Sequence, residues 1–299
     1  MIESITVTNH LGNKMTLELS SPEKSGLIVK SITGLGANTN INSSKLATAD
    51  GEIFNSARMK PRDIVITLIY DESDPETARL KTYTYFPTKK KVRLDFKTGY
   101  SDCYIEGYVE KNETTIFNKQ AYGAITINCL DPYFYSNAIN TTYMSGIEPL
   151  FEFPFEKDSS DDTTIQMGEL RVLKERSVWY TGDHDIGITV NMHLIGPVEQ
   201  LAIYNVKTRE KMSFDDTLIE TLTGSKLIAL DDIVICTVNG SKIIRLYRDG
   251  VSYNIINAIN RDADWFTLTK GDNLFTYTAD IGEYNVQMNI QNRVVYEGI

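Results

Sequence analysis

The sequence predicts a mostly β protein with two β-sandwich-like domains, and three observations lead to this prediction. Most apolar residues recur in short alternating segments, which is the pattern of strands that bury one face. Residues typical of strands and loops are frequent, with 17 Tyr among 299 residues. Only one segment is predicted to form a helix. The chain is long for one domain, and its 41% of hydrophobic residues allows each half to build a core.

The first domain is predicted to cover residues 1–137. Its clearest element is Tyr104–Ser136, which reads as two alternating strands, a polar connection and a closing aromatic Asp-Pro turn. Alternation places Ile125, Ile127 and Cys129 on one face of the second strand. We expect a hairpin over residues 1–20 and further strands at Leu27–Ile32, Asp63–Tyr70 (buried on both faces), Val92–Phe96 and Asp102–Glu110.

A single helix is predicted in this domain. Asp74 is a suitable N-cap, Pro75 suits the first helical position, and Glu76 suits the first turn. The helix should run to about Tyr85 and stop at Phe86-Pro87, because proline cannot continue a helix.

Residues 36–58 form a polar, turn-rich stretch that contains the turn signal Asp50-Gly51. A long stretch without regular structure is uncommon inside a compact domain and is usually functional. We therefore interpret it as an extended arm or loop that becomes ordered on a neighbouring molecule. Its candidate interface residues are Gly36, Asp50, Gly51, Phe54 and Arg58.

The second domain is predicted to cover residues 138–299, and its first part is a linker that holds an apolar segment (148–156) and a charged loop (157–164). Asn239-Gly240 lies between two alternating runs, which is the strongest short hairpin signal. Ile255–Asn260 is interpreted as a helical turn. The predicted strands are Ile186–Ile195, Gln200–Asn205, Lys226–Leu230, Ile233–Val238, Lys242–Arg248, Trp265–Leu268, Asn273–Thr278 and Asn285–Asn292.

The charge balance argues against two classes of binding. The formal net charge is −10, which opposes non-specific binding to nucleic acids and to anionic membranes. The basic run Lys89–Arg93 is interpreted as a hairpin edge, where lysines block stray strand pairing. No apolar window is long enough for a membrane span, and the N-terminus does not resemble a signal peptide, so we expect synthesis in a cytoplasm.

The chain carries no recognised catalytic motif, so we expect no enzymatic activity, no cofactor and no metal. Asp183-His184-Asp185 is the densest polar cluster, and the glycines around it favour a surface loop over a metal or general-base site. The acidic pairs Asp161-Asp162, Asp215-Asp216 and Asp231-Asp232 are interpreted as solvated turns. The cysteines Cys103, Cys129 and Cys236 are interpreted as small buried residues.

A carbohydrate-binding module that contacts host cell-wall polysaccharide is an alternative function. Trp179, Trp265 and the tyrosines are the candidates for stacking on sugar rings, although a tryptophan in a sandwich more often belongs to a core or an interface. The discriminating feature would be a shallow groove with at least two exposed aromatic side chains on one face.

The order of several short features resembles the distal tail proteins of bacteriophages, the Sipho-tail family. In the first half these features are Gly34-Leu35-Gly36-Ala37, Asp50-Gly51, Arg58, Arg62, Arg79-Leu80, Tyr85-Phe86-Pro87, Tyr104–Val109, Phe117, Gln120 and Cys129–Tyr135. In the second half they are Gly196-Pro197, Ile203–Asn205, Thr208, Trp265-Phe266, Leu268, Gly271–Asn273 and Val295–Ile299.

The resemblance implies a structural role at the tip of a phage tail. It implies that the first domain forms a hexameric ring around the DNA channel, while a galectin-like second domain faces outward. The implied partners are further copies of the chain, the tail tube, tail-tip or baseplate hub proteins, and receptor-binding proteins. DNA would pass through without specific binding, and no membrane partner is implied. The protein would be located at the virion tail tip, after assembly in the host cytoplasm.

Overall fold

A computed structural model describes residues 2–21, 25–46, 50–71, 74–115, 120–149, 168–172 and 174–299. The chain divides into two compact units. The first unit comprises Met1–Ala138 together with Val295–Ile299, and the second comprises Ile139–Val294. Phe117, the loop 157–164 with its pair Asp161-Asp162, and most of the apolar segment 148–156 lie outside the described residues.

The first unit is built mainly of strands. Nine of them form one sheet. Seven of the nine follow the order β2-β1-β7-β8-β9-β6-β3, and β10 and β25 are the other two. β4 pairs separately with β5. The strands are β1 (Ile2–Thr8), β2 (Lys14–Glu18), β3 (Leu27–Thr33), β4 (Thr39–Lys45), β5 (Glu52–Met59), β6 (Arg62–Tyr70), β7 (Lys91–Thr98), β8 (Asp102–Thr115), β9 (Tyr122–Cys129), β10 (Phe134–Ser136) and β25 (Val295–Tyr296).

One core lies against this sheet, and alternation along the strands builds it. Ile125, Ile127 and Cys129 of β9 are all buried in it, as predicted. The prediction that the strand ending at Tyr70 is buried on both faces was wrong. Alternate residues of β6 from Arg62 to Tyr70 are buried, whereas those between them are exposed or half-buried.

The helix α1 (Pro75–Tyr85) confirms the predicted boundaries. The Asp74 carboxylate accepts a hydrogen bond of 3.1 Å from the backbone N–H of Thr77, so the N-cap satisfies one otherwise orphaned donor. Ala78 and Thr82 are the buried residues of the helix. Phe86, just beyond the last turn, is buried in the core of the first unit.

The second unit is a sandwich of a six-stranded sheet (β11-β24-β16-β19-β20-β21) and a four-stranded sheet (β14-β23-β17-β18), with the small pairs β12-β13 and β15-β22. Its strands are β11 (Asn140–Tyr143), β12 (Ser145–Pro149), β13 (Gly168–Val172), β14 (Glu175–Tyr180), β15 (Ile186–Gly187), β16 (Thr189–Leu194), β17 (Ala202–Asn205), β18 (Glu210–Ser213), β19 (Asp232–Cys236), β20 (Ile243–Arg248), β21 (Val251–Asn254), β22 (Thr267–Leu268), β23 (Gly271–Thr278) and β24 (Val286–Asn292).

The two large sheets enclose one apolar layer. Ile235 and Ile290 face inward from the six-stranded sheet, and Phe275 and Met212 face inward from the four-stranded sheet. The Tyr277 hydroxyl joins the layers by donating a hydrogen bond of 3.2 Å to the carbonyl oxygen of Val286. The mostly β fold that the sequence predicts is thus present in both units.

In the second unit, two of the predicted turns are present and one predicted strand is absent. The hairpin at Asn239-Gly240 is confirmed: both residues have positive φ, 54° and 72°, between β19 and β20. The predicted helical turn is also present, as a 3₁₀ turn over Ile256–Ala258. In contrast, Lys226–Leu230 forms no strand, and only Leu227 makes an isolated bridge, to Val198.

A second helix, α2 (Asp216–Thr223), was not predicted. Its signals are nevertheless present in the sequence. Asp215 caps it by accepting from the backbone N–H groups of Thr217 and Leu218, and Gly224 ends it in the left-handed conformation with φ 88°. Eight residues are too few for a clear apolar period. Within the described residues, no helix has the length and apolar character of a membrane span.

Candidate assembly interface

The arm predicted at residues 36–58 is an antiparallel ribbon of the two strands β4 and β5. The expectation of a stretch without regular structure was therefore wrong. The sequence hides the ribbon because its strands are mostly polar, so neither shows apolar alternation. Every described residue from Gly36 to Arg58 is exposed except Ser43, which is half-buried.

A register shift gives the ribbon an apolar side. The pairing moves from Asn42↔Ser56 to Ser43↔Phe54, so Asn55 is the extra residue of a β-bulge. The shift puts Phe54 on the same side as Ile41, whose partner is Ala57. Phe54 is 63% exposed and Ile41 65% exposed, so two large apolar side chains on one side of the ribbon face solvent.

The structure brings all the predicted interface residues to this one element. Gly36 precedes β4, and Asp50 and Gly51 lie at the ribbon tip, where Gly51 has a φ of 102°. Phe54 and Arg58 both lie on β5. Their part in an interface stays a prediction. Sequence reasoning missed Ile41 and Ile53, because Ile41 is an isolated apolar residue in a polar strand and Ile53 directly precedes Phe54, so neither belongs to an alternating pattern.

The segment that leads into the ribbon starts at Gly34, and we call Gly34 and Leu35 the ribbon root. The φ of Gly34 is 86°, and a Cβ at this position would lie 2.0 Å from the carbonyl oxygen of Asp63, which belongs to β6. Only glycine fits this backbone approach. The chain can therefore pass close to β6 before it leaves the sheet as the ribbon.

The buried side chain of Arg62 binds the ribbon root. Its guanidinium donates to the carbonyl oxygens of Leu35 at 3.0 Å and Glu297 at 2.6 Å. It also stacks 4.7 Å from the ring centre of Phe134. Burial lowers the pKa of Arg62, but an arginine remains a cation at any ordinary pH. One buried cation thus ties the start of the ribbon, strand β10 and the C-terminal segment of the first unit together.

The Asp-Pro turn closes the same region through hydrogen bonds to Asp131. Its carboxylate accepts from the backbone N–H of Tyr133 at 3.3 Å and from the Tyr135 hydroxyl at 2.7 Å. Burial and this acidic partner raise the pKa of Tyr135. Phe134, between the two tyrosines, is fully buried in the core. The aromatic turn is thus a structural closure of the unit.

The polar clusters of the second unit do not form a metal site in the part of the chain that the structure describes. Asp183, His184 and Asp185 are exposed in the loop between β14 and β15. There Asp183 pairs with Lys270 at 3.6 Å, and the backbone carbonyl of His184 accepts from the Tyr180 hydroxyl at 2.7 Å.

The interpretation of the acidic pairs as solvated turns was wrong for one member of each described pair. Asp216 is buried at the start of α2, where its carboxylate accepts from the backbone N–H of Gln200 at 2.9 Å. Asp231 is fully buried and receives two hydrogen bonds from Arg248, at 2.7 and 2.6 Å. Local sequence cannot show this burial, because the partners lie 16 or 17 residues away.

The basic run Lys89–Arg93 does not lie at a sheet edge, because β7 runs between β1 and β8. Lys91 pairs with Glu106 at 2.7 Å. Arg93 pairs with Asp95 at 2.7 Å and stacks 3.7 Å from the ring centre of Tyr104. Lys91 and Arg93 therefore both have acidic partners within the chain. Such pairing does not suit a surface that binds phosphates.

The tryptophans lie on different elements of the second unit. Trp179 is 69% exposed on the edge strand β14, while Trp265 is half-buried and has the ammonium of Lys242 5.4 Å from its ring centre.

Of the cysteines, Cys103 and Cys129 are buried as predicted, whereas Cys236 is only half-buried. All three are free thiols.

The fold of this chain is similar to that of solved phage proteins. The crystal structure of the phage SPP1 Dit protein, described as a paradigm of the hub adsorption apparatus in phages that infect Gram-positive bacteria, aligns with a TM-score of 0.65 at 12% identity. The alignment covers 97% of this chain and 98% of the SPP1 protein. This chain has the fold of a phage hub protein.

A second match extends the comparison. A chain of the phage P2 baseplate in its activated conformation aligns with a TM-score of 0.51 at 10% identity, over 100% of both chains. No family model matches the sequence, and no curated protein matches it significantly. The fold shared with these phage proteins is therefore recognised from tertiary structure, because the identities of 10 to 12% are too low for the sequence comparisons to find a match.

Proposed function

We propose that this chain is a distal tail protein of a phage or phage-like particle. In this proposal its first domain forms a hexameric ring that connects the tail tube to the tail-tip or baseplate hub proteins around the DNA channel. The second domain, galectin-like, faces outward and can carry receptor-binding proteins. The proposed ring domain corresponds to the first unit, Met1–Ala138 with Val295–Ile299, and the outward domain to the second unit, Ile139–Val294. The function is structural and not enzymatic, at the virion tail tip after assembly in the host cytoplasm.

The observation that carries the proposal is the exposed ribbon. A two-stranded hairpin is at best marginally stable alone in water. This ribbon nevertheless extends over β4 and β5 with Ile41 and Phe54 in solvent. A neighbouring subunit that covered this side would bury both residues and order the ribbon. In a closed ring each copy can give its ribbon to the next copy, so the same contact is repeated without an open end.

The acidic balance of the chain suits the proposed channel. The 40 Asp and Glu exceed the 30 Lys and Arg, so a ring of several copies would carry a large negative charge. Acidic side chains on a channel wall repel DNA phosphates and would let the genome slide without sticking. Exchange of lumen-facing acids for Lys should slow genome ejection, and unchanged ejection would contradict this role.

The mass of the purified chain in solution, measured by light scattering over a concentration series, tests the ring. We expect a hexamer, or a rise toward one with increasing concentration. Phe54→Asp should shift the series to monomer, because it places a charge where an apolar contact is proposed. Trp179→Asp is the matched control, since it exchanges another exposed aromatic residue on the second unit. Wild-type monomer at every concentration, or assembly of the Phe54 variant, would contradict the proposal.

A further inference from the structure

The six-stranded sheet of the second unit presents an outward surface that the ring proposal does not use. We call it the polar face and define it as the outward side chains of β11, β24, β16, β19, β20 and β21. One continuous row crosses all six strands, with successive residues paired in the sheet register: Tyr143, Asn289, Asn191, Val234, Arg245 and Asn254. Adjacent strands lie about 4.8 Å apart, so the row is about 24 Å long.

Amide side chains are concentrated on this face against the local preference of a β-strand. Asn is depleted in strands, yet Asn191 and Asn289 lie opposite each other on neighbouring strands inside the sheet. The core does not require them, because the inward residues Val190 and Ile290 are already fully buried. Gln287 and Gln291 extend the amide set along β24. Such departures from local preference are expected where a surface has a function.

The amides are held in position and retain further bonding capacity. The Asn191 amide N–H donates to the Asn289 side-chain oxygen at 3.0 Å. An amide carries two N–H donors and an oxygen with two lone pairs, so this single bond leaves each residue able to bind a ligand. Arg245, exposed in the same row, offers a planar group with several donors.

Aromatic side chains flank the row. Tyr143 is 61% exposed on the edge strand β11. Tyr247 is 39% exposed on β20, two residues along that strand from Arg245 and on the same face. Tyrosine presents an apolar ring together with a polar hydroxyl, which suits a ligand that has both C–H faces and hydroxyl groups.

The charges of the polar face point to a neutral ligand. All its strands belong to the described residues, and their outward positions hold one arginine, Arg245, and one carboxylate, Asp232. Asp232 is paired with His193 at 2.7 Å. A phosphate backbone or an anionic membrane requires several cations. The few aliphatic side chains, Val234 and Ile243, do not form the apolar anchor of a protein interface.

We propose that the polar face binds a neutral polysaccharide strand laid across the six strands of the sheet. Sugar hydroxyls both donate and accept, as the amides do, and the tyrosine rings can pack against the apolar faces of sugar rings. The length of the row allows several sugar units to bind in sequence. This inference goes beyond the ring, because it gives the second domain a ligand of its own.

The test is calorimetric titration of the full chain with a panel of neutral oligosaccharides built from glucose, galactose, rhamnose or N-acetylglucosamine. Heparin serves as the anionic comparison. We expect at least one neutral oligosaccharide to bind and heparin not to bind. Tyr143→Ala and Arg245→Ala should each weaken binding about tenfold, and both change exposed side chains that the core does not need.

Trp179→Ala is the control, since it removes an exposed aromatic residue from the other sheet. Its affinity should equal that of the wild type. No binding of any neutral oligosaccharide in the panel, or a loss of binding in the Trp179 variant alone, would overturn the proposal. The titration does not depend on assembly, so failure here would leave the ring proposal intact, and a monomeric protein could still bind sugar.

Discussion

Arg62 donates a hydrogen bond of 2.6 Å to the backbone carbonyl oxygen of Glu297, a residue 235 positions later in the chain. The bond brings the C-terminal segment back to the first unit, where β25 also pairs with β10. The same guanidinium bonds the carbonyl of Leu35 just before the ribbon. The last residues of the chain therefore help to hold the base of the proposed interface.

Replacement of this buried cation should destabilise the first unit. Arg62→Met removes part-buried hydrogen bonds from a buried charged donor to the carbonyl oxygens of Leu35 and Glu297, so we expect a loss of about 3 kcal/mol in the free energy of unfolding. Urea unfolding followed by circular dichroism measures it. Tryptophan fluorescence provides an internal reference, because Trp179 and Trp265 both belong to the second unit.

Arg58→Met is the matched control for Arg62, because Arg58 is exposed on the ribbon. It should change the free energy of unfolding by no more than about 0.5 kcal/mol. Equal effects of the two substitutions would show that Arg62 is not the clamp described above.

The ribbon root should not tolerate a side chain at Gly34. In Gly34→Ala the new Cβ would meet the Asp63 carbonyl oxygen at 2.0 Å, in a backbone conformation that alanine adopts poorly. We expect a loss of at least about 2 kcal/mol in the stability of the first unit, measured by the same urea series.

Gly36→Ala makes the corresponding change two residues later, where a Cβ would meet no atom within 4 Å. This variant should unfold like the wild type. If Gly34→Ala were equally stable, the close approach between the ribbon root and β6 would not matter for folding.

Alkaline pH should weaken the first unit before it reaches the ordinary titration range of tyrosine. Burial raises the pKa of the Cys103 thiol to about 11 and that of Cys129 to about 12. An unfolded cysteine ionises near pH 8.5, so the folded state binds protons that the unfolded state has lost. The stability contribution is full below the unfolded pKa and decreases as the pH rises from about 8.5 toward the folded pKa of about 11.

Urea unfolding at increasing pH, on wild type and on a Cys103→Ala variant, measures this effect. The variant should lose less stability between pH 8 and pH 10, and an equal slope for both proteins would contradict the assignment to the thiol. A thiol reagent at neutral pH provides a second readout. Cys236, the half-buried cysteine, should react first, and Cys103 and Cys129 only on unfolding.

Local patterns were sufficient for much of the fold. The N-cap at Asp74 and the turn at Asn239-Gly240 act over a few residues, so the sequence shows them directly. Alternation likewise determines which side of β9 is buried. The position of the arm followed from polar composition, but its paired strands did not, because polar strands lack a periodic apolar signal.

The remaining features depend on residues that are distant in sequence. Nothing near Arg62 or Asp231 indicates burial, since their partners Glu297 and Arg248 come from other strands or from the far end of the chain. The row from Tyr143 to Asn254 exists only through the strand order of one sheet. The sequence by itself determined strand faces, turns and one helix, which are short-range steric and apolar preferences. The tertiary structure decided the buried charges, the ribbon root and the polar face, because they depend on which strands become neighbours.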